Sequence, residues 1–550
     1  MIKQIISNTK QVSFYVLAIC LIFLLSSCKQ NENTNRDHLV FRYNEHKNIG
    51  SLDPAFSKDL ADIWATNQLF NGLVQMDDSL NVQPALAESW EISDSAKRYR
   101  FKLKSGVTFH KHHLFSTSTG LNNRDSTRAV NAKDFVYSFN RLLDPKVASP
   151  GSWVMGKVDR FYAENDSVFT IELKQPFPAF LGLLTMKYCS VVPKEIVEHY
   201  GSDFRSNAIG TGPFKLKRWE ENIKLVMRRN TDYFEMDKNG DKLPYLEAIS
   251  ITFLPDKQSE FLQFAQGNID FVSGLDASYK DEILTSEGQL KESYKNDVNM
   301  IRGPYLNTEY LAFFMESEVD EIQSEKLRKA VNMGFDRQKM ITYLRNGIGI
   351  PAYGGFIPKG LPGYDSEIGY SYDPEEAKRL IQDYKSETGN TNPLITLTTT
   401  SNYLSFCEYI QRELQKIGLE INVDVIPASS LKDLKANGQL NFFRASWIAD
   451  YPDAENYLSL YYSENFAPNG PNYTHFTSDT FDSLYKAAYL ETDSEARAHL
   501  YTTMDSLVMQ SAPIVPLYYD EVVRFTRKNI EGLGINATNL LELKKVRKSN

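Results

Sequence analysis

The chain has 550 residues, with 61 Lys and Arg against 70 Asp and Glu and a formal net charge of −9. Hydrophobic residues make up 42% and aromatic residues 12%, enough for a sizeable core, so a disordered chain is excluded. The acidic balance disfavours a general nucleic-acid binder, which needs a basic footprint for phosphates. At roughly 150 residues per domain the length implies about three or four domains. The 31 Tyr and 32 Phe mostly fill cores, with some Tyr free for recognition, because the ring packs while the hydroxyl bonds.

The first segment sets the compartment. Residues 1–11 carry Lys3 and Lys10 and no acid, and Val12 to Leu25 is an almost unbroken apolar run. A basic start, a short apolar run and small residues read as a secretory signal rather than a membrane span, which needs about 20 apolar residues. Leu25-Ser26-Ser27-Cys28 follows and resembles the lipobox of bacterial lipoproteins. That resemblance implies a signal peptide over 1–27, lipidation of Cys28, and a polar tether over 28–37. The mature chain would be exported and lipid-anchored to the cell membrane, on its periplasmic or cell-surface side. The alternative is an ordinary signal peptide with an incidental Cys. Cys189 and Cys407 read as buried free thiols, since a chain this large does not need disulfides; a long-range pair is the alternative.

Short strands then alternate with helices. Phe41-Arg42-Tyr43 reads as a strand. Asp59 to Leu69 reads as a helix with Leu60, Ile63, Trp64 and Leu69 on one side, ending at Asn71-Gly72. Tyr99 to Leu103 alternates as a half-buried strand does. His110 to Arg128 is polar and aperiodic, an inserted loop. Asn131 opens a helix with Phe135, Val136, Phe139 and Leu142 on its apolar side, and Asp144-Pro145 stops it. Ile171-Glu172-Leu173 is another strand. A helix pair follows over Glu325 to Leu344, with Asp336 capping its second member. Leu394 to Thr400 is a strand, Leu404 to Ile417 an amphipathic helix stopped by Gly418, and Leu419 to Ile426 a strand. That order is a βαβ unit and predicts an α/β fold. Phe481 to Gln510 is helical in two pieces, and Ile514 to Phe525 returns to extended chain.

No Gly-x-Ser-x-Gly elbow, His-Glu-x-x-His or phosphate loop occurs. Gly210-Thr211-Gly212 leads into Pro213-Phe214 rather than a helix, so it lacks the helix N-terminus a dinucleotide needs. His110, His112 and His113 have the residue type for a metal, but their polar surroundings offer no acidic partner, and a solvated loop is the expectation. No catalysis, metal or cofactor is expected.

An ordered set of motifs carries more. It runs Ser51-Leu52-Asp53-Pro54-Ala55, Gln68-Leu69-Phe70-Asn71-Gly72-Leu73 and Pro84-Ala85-Leu86-Ala87-Glu88-Ser89-Trp90. Then come Asp134-Phe135-Val136-Tyr137-Ser138-Phe139-Asn140-Arg141-Leu142-Leu143-Asp144-Pro145 and Gly210-Thr211-Gly212-Pro213-Phe214. Late in the chain stand Leu327-Arg328-Lys329-Ala330, Phe335-Asp336-Arg337 and Trp447-Ile448-Ala449-Asp450-Tyr451-Pro452. Over residues 39–530 this set resembles the substrate-binding proteins of peptide/nickel-type ABC importers, family 5 of the extracellular solute-binding proteins.

The resemblance implies a two-lobed periplasmic-binding fold, type II-like, with an additional N-terminal domain. Lobe I would be discontinuous (38–60, 186–305 and 519–546), the additional domain would span 61–185, and lobe II 306–518. Ligand would bind between the lobes. The expected role is peptide capture for an ABC permease and its ATPase, by a monomer that binds no nucleic acid. Alternatives are a nickel chelate, an oligosaccharide or a signalling peptide as cargo, or a surface lipoprotein without a transport role. A peptide's ends carry an ammonium and a carboxylate, each needing an opposite charge where water is excluded. By resemblance Asp450 holds the ammonium, Trp447 forms a pocket wall, and Arg444 reaches the carboxylate of a short peptide, directly or through water. Asn48 and Ile49 would offer backbone pairing from the near side, with Tyr518 and Tyr519 on the return strand. The chain departs from the family at Asp520, where some peptide receptors continue with Tyr, and at His110-Lys111-His112-His113, where Asp-Gly is common.

Overall fold

The computed structural model describes residues 39–115 and 126–549. The signal peptide, Cys28 and the tether lie outside the described residues. Two long antiparallel strands, Val298–Phe313 and Ile514–Arg527, form the spine of an eleven-stranded mixed sheet. At one end the second spine strand pairs with Phe271–Ser273, and beyond it lie Val40–Asn44, Ala248–Thr252, Lys224–Arg229 and Phe214–Glu220. At the other end the first spine strand pairs with Phe442–Ile448, and beyond it lie Leu394–Thr399 and Glu420–Val425. Each end carries its own apolar cores, giving two lobes on one spine.

The ladder between the spine strands breaks where the lobes meet. Pairing runs from Val298 opposite Arg527 to Pro304 opposite Glu521, and resumes at Thr308 opposite Tyr519. Three residues on one strand (305–307) thus face one, Asp520, on the other, a bulge that loosens the ladder at a bend. Pro304 reinforces it, because proline has no N–H to donate.

The βαβ expectation holds. Leu394–Thr399 and Glu420–Val425 pair in parallel, joined by the helix Leu404–Lys416, which Gly418 ends with a φ of +96°. The half-buried strand Arg98–Leu103 joins a separate antiparallel sheet with Ala87–Ser93, Val168–Leu173 and Val158–Asn165. The helix Ala132–Leu143 buries Phe135, Phe139 and Leu142 against it, started by a capping box between Asn131 and Asp134. Cys189 and Cys407 are free and buried.

Several motif residues join these parts. Arg141 of that helix reaches the Ser51–Ala55 turn and donates to both oxygens of Asp53, at 3.1 and 2.6 Å. Gly210 and Gly212 press on the end of the helix Leu60–Leu69, where a Cβ would stand 2.1 Å from the Leu69 oxygen or 2.4 Å from the Leu69 carbonyl carbon. The Gly-Thr-Gly motif is thus a close backbone crossing.

His110 is a correction to the solvated-loop expectation. It is 2% exposed, accepts from the Gly210 N–H at Nδ1 (3.2 Å), and its Nε2 meets the Gly212 carbonyl at 3.0 Å. Burial pushes its pKa down to about 4, so it stays neutral and braces the glycine crossing.

Candidate functional site

A cavity of about 570 Å³ opens where both lobes and the four-stranded domain meet. That lies within the range of roughly 300–1,000 Å³ typical of small-ligand pockets. The helix Leu60–Leu69 supplies one wall. Its buried face, Ala61, Trp64, Ala65 and Leu69, belongs to the first lobe's core, while Leu60, Ile63 and Asn67 turn to the cavity. The single apolar side expected for this helix is therefore two faces with different tasks.

The first spine strand contributes Tyr305, which stands in the ladder break. The short helical turn Lys187–Cys189 contributes Lys187 and Tyr188. The second lobe contributes Ile448, Ala449 and Asp450, at the end of the strand Phe442–Ile448.

Asp450 is held from behind. Asn456 Oδ1 accepts from the Asp450 backbone N–H at 3.1 Å and from Trp447 Nε1 at 2.9 Å, so one amide oxygen fixes both residues. The Asp450 side chain is open to cavity solvent, yet surrounding protein mass desolvates it and raises its carboxyl above the ordinary aspartate range, with Asn456 opposing. Among the described residues no cation stands within ion-pair distance of it. The carboxylate faces the cavity uncompensated.

Of the seven expected ligand residues, only Asp450 lies in the cavity wall. Trp447 packs on the rim of the second lobe's core, behind Asp450. Arg444 is engaged inside that lobe: its guanidinium pairs with Glu309 and stacks 3.3 Å over the Tyr403 ring. Their side chains are 12% and 4% exposed, so this arginine's charge is already met within the protein.

Asn48 and Ile49 form no strand, since the strand before them ends at Asn44. Asn48 is exposed, and Ile49 belongs to the first lobe's core. Tyr518 and Tyr519 are each 1% exposed; the first accepts from Arg345 at 3.2 Å and the second donates to the Gly355 carbonyl at 2.7 Å. Asp520, the departure from the family pattern, pairs with Arg345.

Sequence reasoning missed Lys187, Asn67, Tyr305 and Asn456. Lys187 did leave a signal: it is the lone charge between Phe180 and Val192. Asn456 left none, because its role depends on the turn folding back onto Trp447.

Residues 81–469 match the family described as bacterial extracellular solute-binding proteins, family 5 Middle. The probable di/tripeptide-binding protein 5 of Pseudomonas aeruginosa (strain UCBPP-PA14) is 26% identical, covering 85% of this chain and 88% of the relative. The probable deoxycholate-binding periplasmic protein YgiS of Escherichia coli (strain K12) is 25% identical over 90% of this chain and 91% of its own. Among solved structures, the periplasmic binding protein DppA from Helicobacter pylori, in complex with peptide STSA, superposes with a TM-score of 0.74 at 24% identity. It covers 93% of this chain and 98% of its own. The two-lobed arrangement on one spine is the fold of these proteins, and the chain belongs to family 5 of the bacterial extracellular solute-binding proteins.

Proposed function

We propose that the protein is the substrate-binding component of a peptide-type ABC importer and that its cargo is a short peptide held in the interlobe cavity. The observation that carries this reading is Asp450, a carboxylate without a cation in the wall of a small-ligand cavity. An uncompensated charge in a desolvated site is costly unless a partner arrives. A peptide's terminal ammonium is such a partner, and it favours the charged form of Asp450. Relatives' names alone do not choose the cargo, since they include deoxycholate-, glutathione-, dipeptide- and heme-binding proteins. Charge does discriminate: deoxycholate and heme carry carboxylates and no ammonium, and Asp450 repels them.

The mechanism is a hinge equilibrium. Asp450 belongs to the second lobe and the helix Leu60–Leu69 packs on the first, so a ligand touching both favours the closed form. The bend falls at the ladder break around Pro304 to Thr308, where Tyr305 faces the cavity. Cys28, read as the lipid attachment site, would keep the receptor at the membrane beside its permease. Native mass spectrometry of the protein purified from its own cells tests the cargo. Adducts with masses of short peptides support the reading; adducts with the mass of a bile acid or heme refute it.

A further inference from the structure

Lys187 is a second charge of the cavity wall with no ion-pair partner among the described residues; Lys47, Lys58 and Asp59 line the same cavity. Lys187 follows Met186, whose extended backbone starts the turn Lys187–Cys189. Tyr188 and Cys189 anchor that turn in the core of the four-stranded domain and leave the lysine facing the cavity. Its ammonium has three N–H donors and one side-chain partner, the Asn67 Oδ1 at 2.7 Å. Asn67 is itself oriented by donating to the Leu541 carbonyl at 2.9 Å.

Glu542, the acid Lys187 feels most, lies 2.8 Å from Lys544, which also meets Glu235 at 2.7 Å and the Gln75 amide oxygen at 2.8 Å. Among the described residues no carboxylate lies within ion-pair distance of Lys187. Burial, with Lys544 adding repulsion, pushes its pKa down to about 8. Lys187 and Asp450 line one cavity with opposite signs and form no ion pair with each other.

We propose that Lys187 receives the ligand's carboxylate, so that the cavity selects a small zwitterion with a free amine at Asp450 and a free carboxylate at Lys187. This rests on the ammonium reading of Asp450. It gives the carboxylate a receptor at the junction of the four-stranded domain and the first lobe, and leaves Arg444 to its pair with Glu309. A ligand bound at both ends then ties the second lobe to the rest of the molecule. Removing either terminal charge leaves one protein charge in the cavity unanswered, so end-blocked peptides are rejected.

The test uses three mixed-sequence tripeptide pools, free, C-terminally amidated and N-acetylated, with binding to the purified protein read by native mass spectrometry and calorimetry. The wild type should prefer free acid over amide by roughly thirtyfold or more, as for a desolvated charge pair. Lys187→Met should bring that ratio to near one while keeping the preference for a free amine, and Lys187→Arg should retain the acid preference. Asp450→Asn should do the reverse, losing the amine preference and keeping the acid preference. Thermal unfolding checks folding, and Lys187→Gln replaces the Met variant if that one is unfolded. An unchanged acid-to-amide ratio in the Lys187 variant overturns the proposal, as does wild-type protein that binds amides as well as acids or binds no pool. Tolerance of N-acetylation with the Lys187-dependent acid preference intact overturns the Asp450 reading alone and leaves the carboxylate site standing.

Discussion

Arg444 and Asp450 stand six residues apart, one inside the strand Phe442–Ile448 and one just past its end, and their charges have opposite fates. Arg444 is paired with Glu309 and covered by Tyr403, on the strand-facing side of the second lobe. Burial raises the Glu309 carboxyl, and Arg444 is the main force pulling it back. Asp450 has an amide for company and, among the described residues, no cation. A charge answered from within fixes the shape of the lobe. A charge left open to a cavity is a demand on something from outside. Residue type alone does not separate these cases; the partner does.

The largest expected effect breaks the satisfied side. Glu309→Ala leaves Arg444 buried without its acid and should cost about 3–5 kcal/mol of stability, read by urea unfolding. An unaltered midpoint would mean that the pair is incidental and that Arg444 is free to serve a ligand.

The next effect sharpens the open side through pH. The binding-competent form of Asp450 is the carboxylate, and its pKa lies above the usual aspartate value. Peptide affinity should therefore fall on acidification sooner than an ordinary aspartate near about 3.9 would allow, by up to about tenfold per pH unit. Titration calorimetry at stepped pH follows this, and the acid limb should be absent in Asp450→Asn.

A smaller effect probes the support behind the charge. Trp447→Phe keeps the ring packing and removes the bond from Nε1 to Asn456. It should cost about 1 kcal/mol of stability and loosen the Asp450 backbone, seen as faster amide exchange at that residue.

The smallest effect concerns the empty protein. An aspartate with a raised pKa holds its proton longer folded than unfolded, so stability declines as pH rises between the ordinary and the raised value. Asp450→Asn should remove that slope and leave the empty protein at pH 7 as stable as the wild type or slightly more so. A clear loss in thermal unfolding would place Asp450 among the structural charges with Arg444.

The fold was legible where local pattern and tertiary role agree. The alternation from Tyr99 to Leu103, the Asn131 cap and the order strand, helix, Gly418, strand all reappear in place. Family resemblance pointed to Asp450, which lines the cavity, but most of the motif residues hold the scaffold. Arg141 binds Asp53, His110 and Gly210 brace each other, and Arg337 donates to the Pro516 carbonyl at 2.6 Å. What the sequence hid is which polar groups answer one another across long separations. Glu309 lies 135 residues from Arg444, and Asn67 lies 120 residues from Lys187. The helix Leu60–Leu69 illustrates the same limit: its apolar residues divide between a core and a cavity that form only when the chain has closed on itself.

The most direct test is calorimetry of one short peptide from the free pool and its N-acetyl form, on the wild type and on Asp450→Asn. The account predicts that acetylation costs the wild type about 2–5 kcal/mol of binding and costs the variant almost nothing. Equal losses in both proteins, or none in the wild type, would contradict Asp450 as the ammonium receptor.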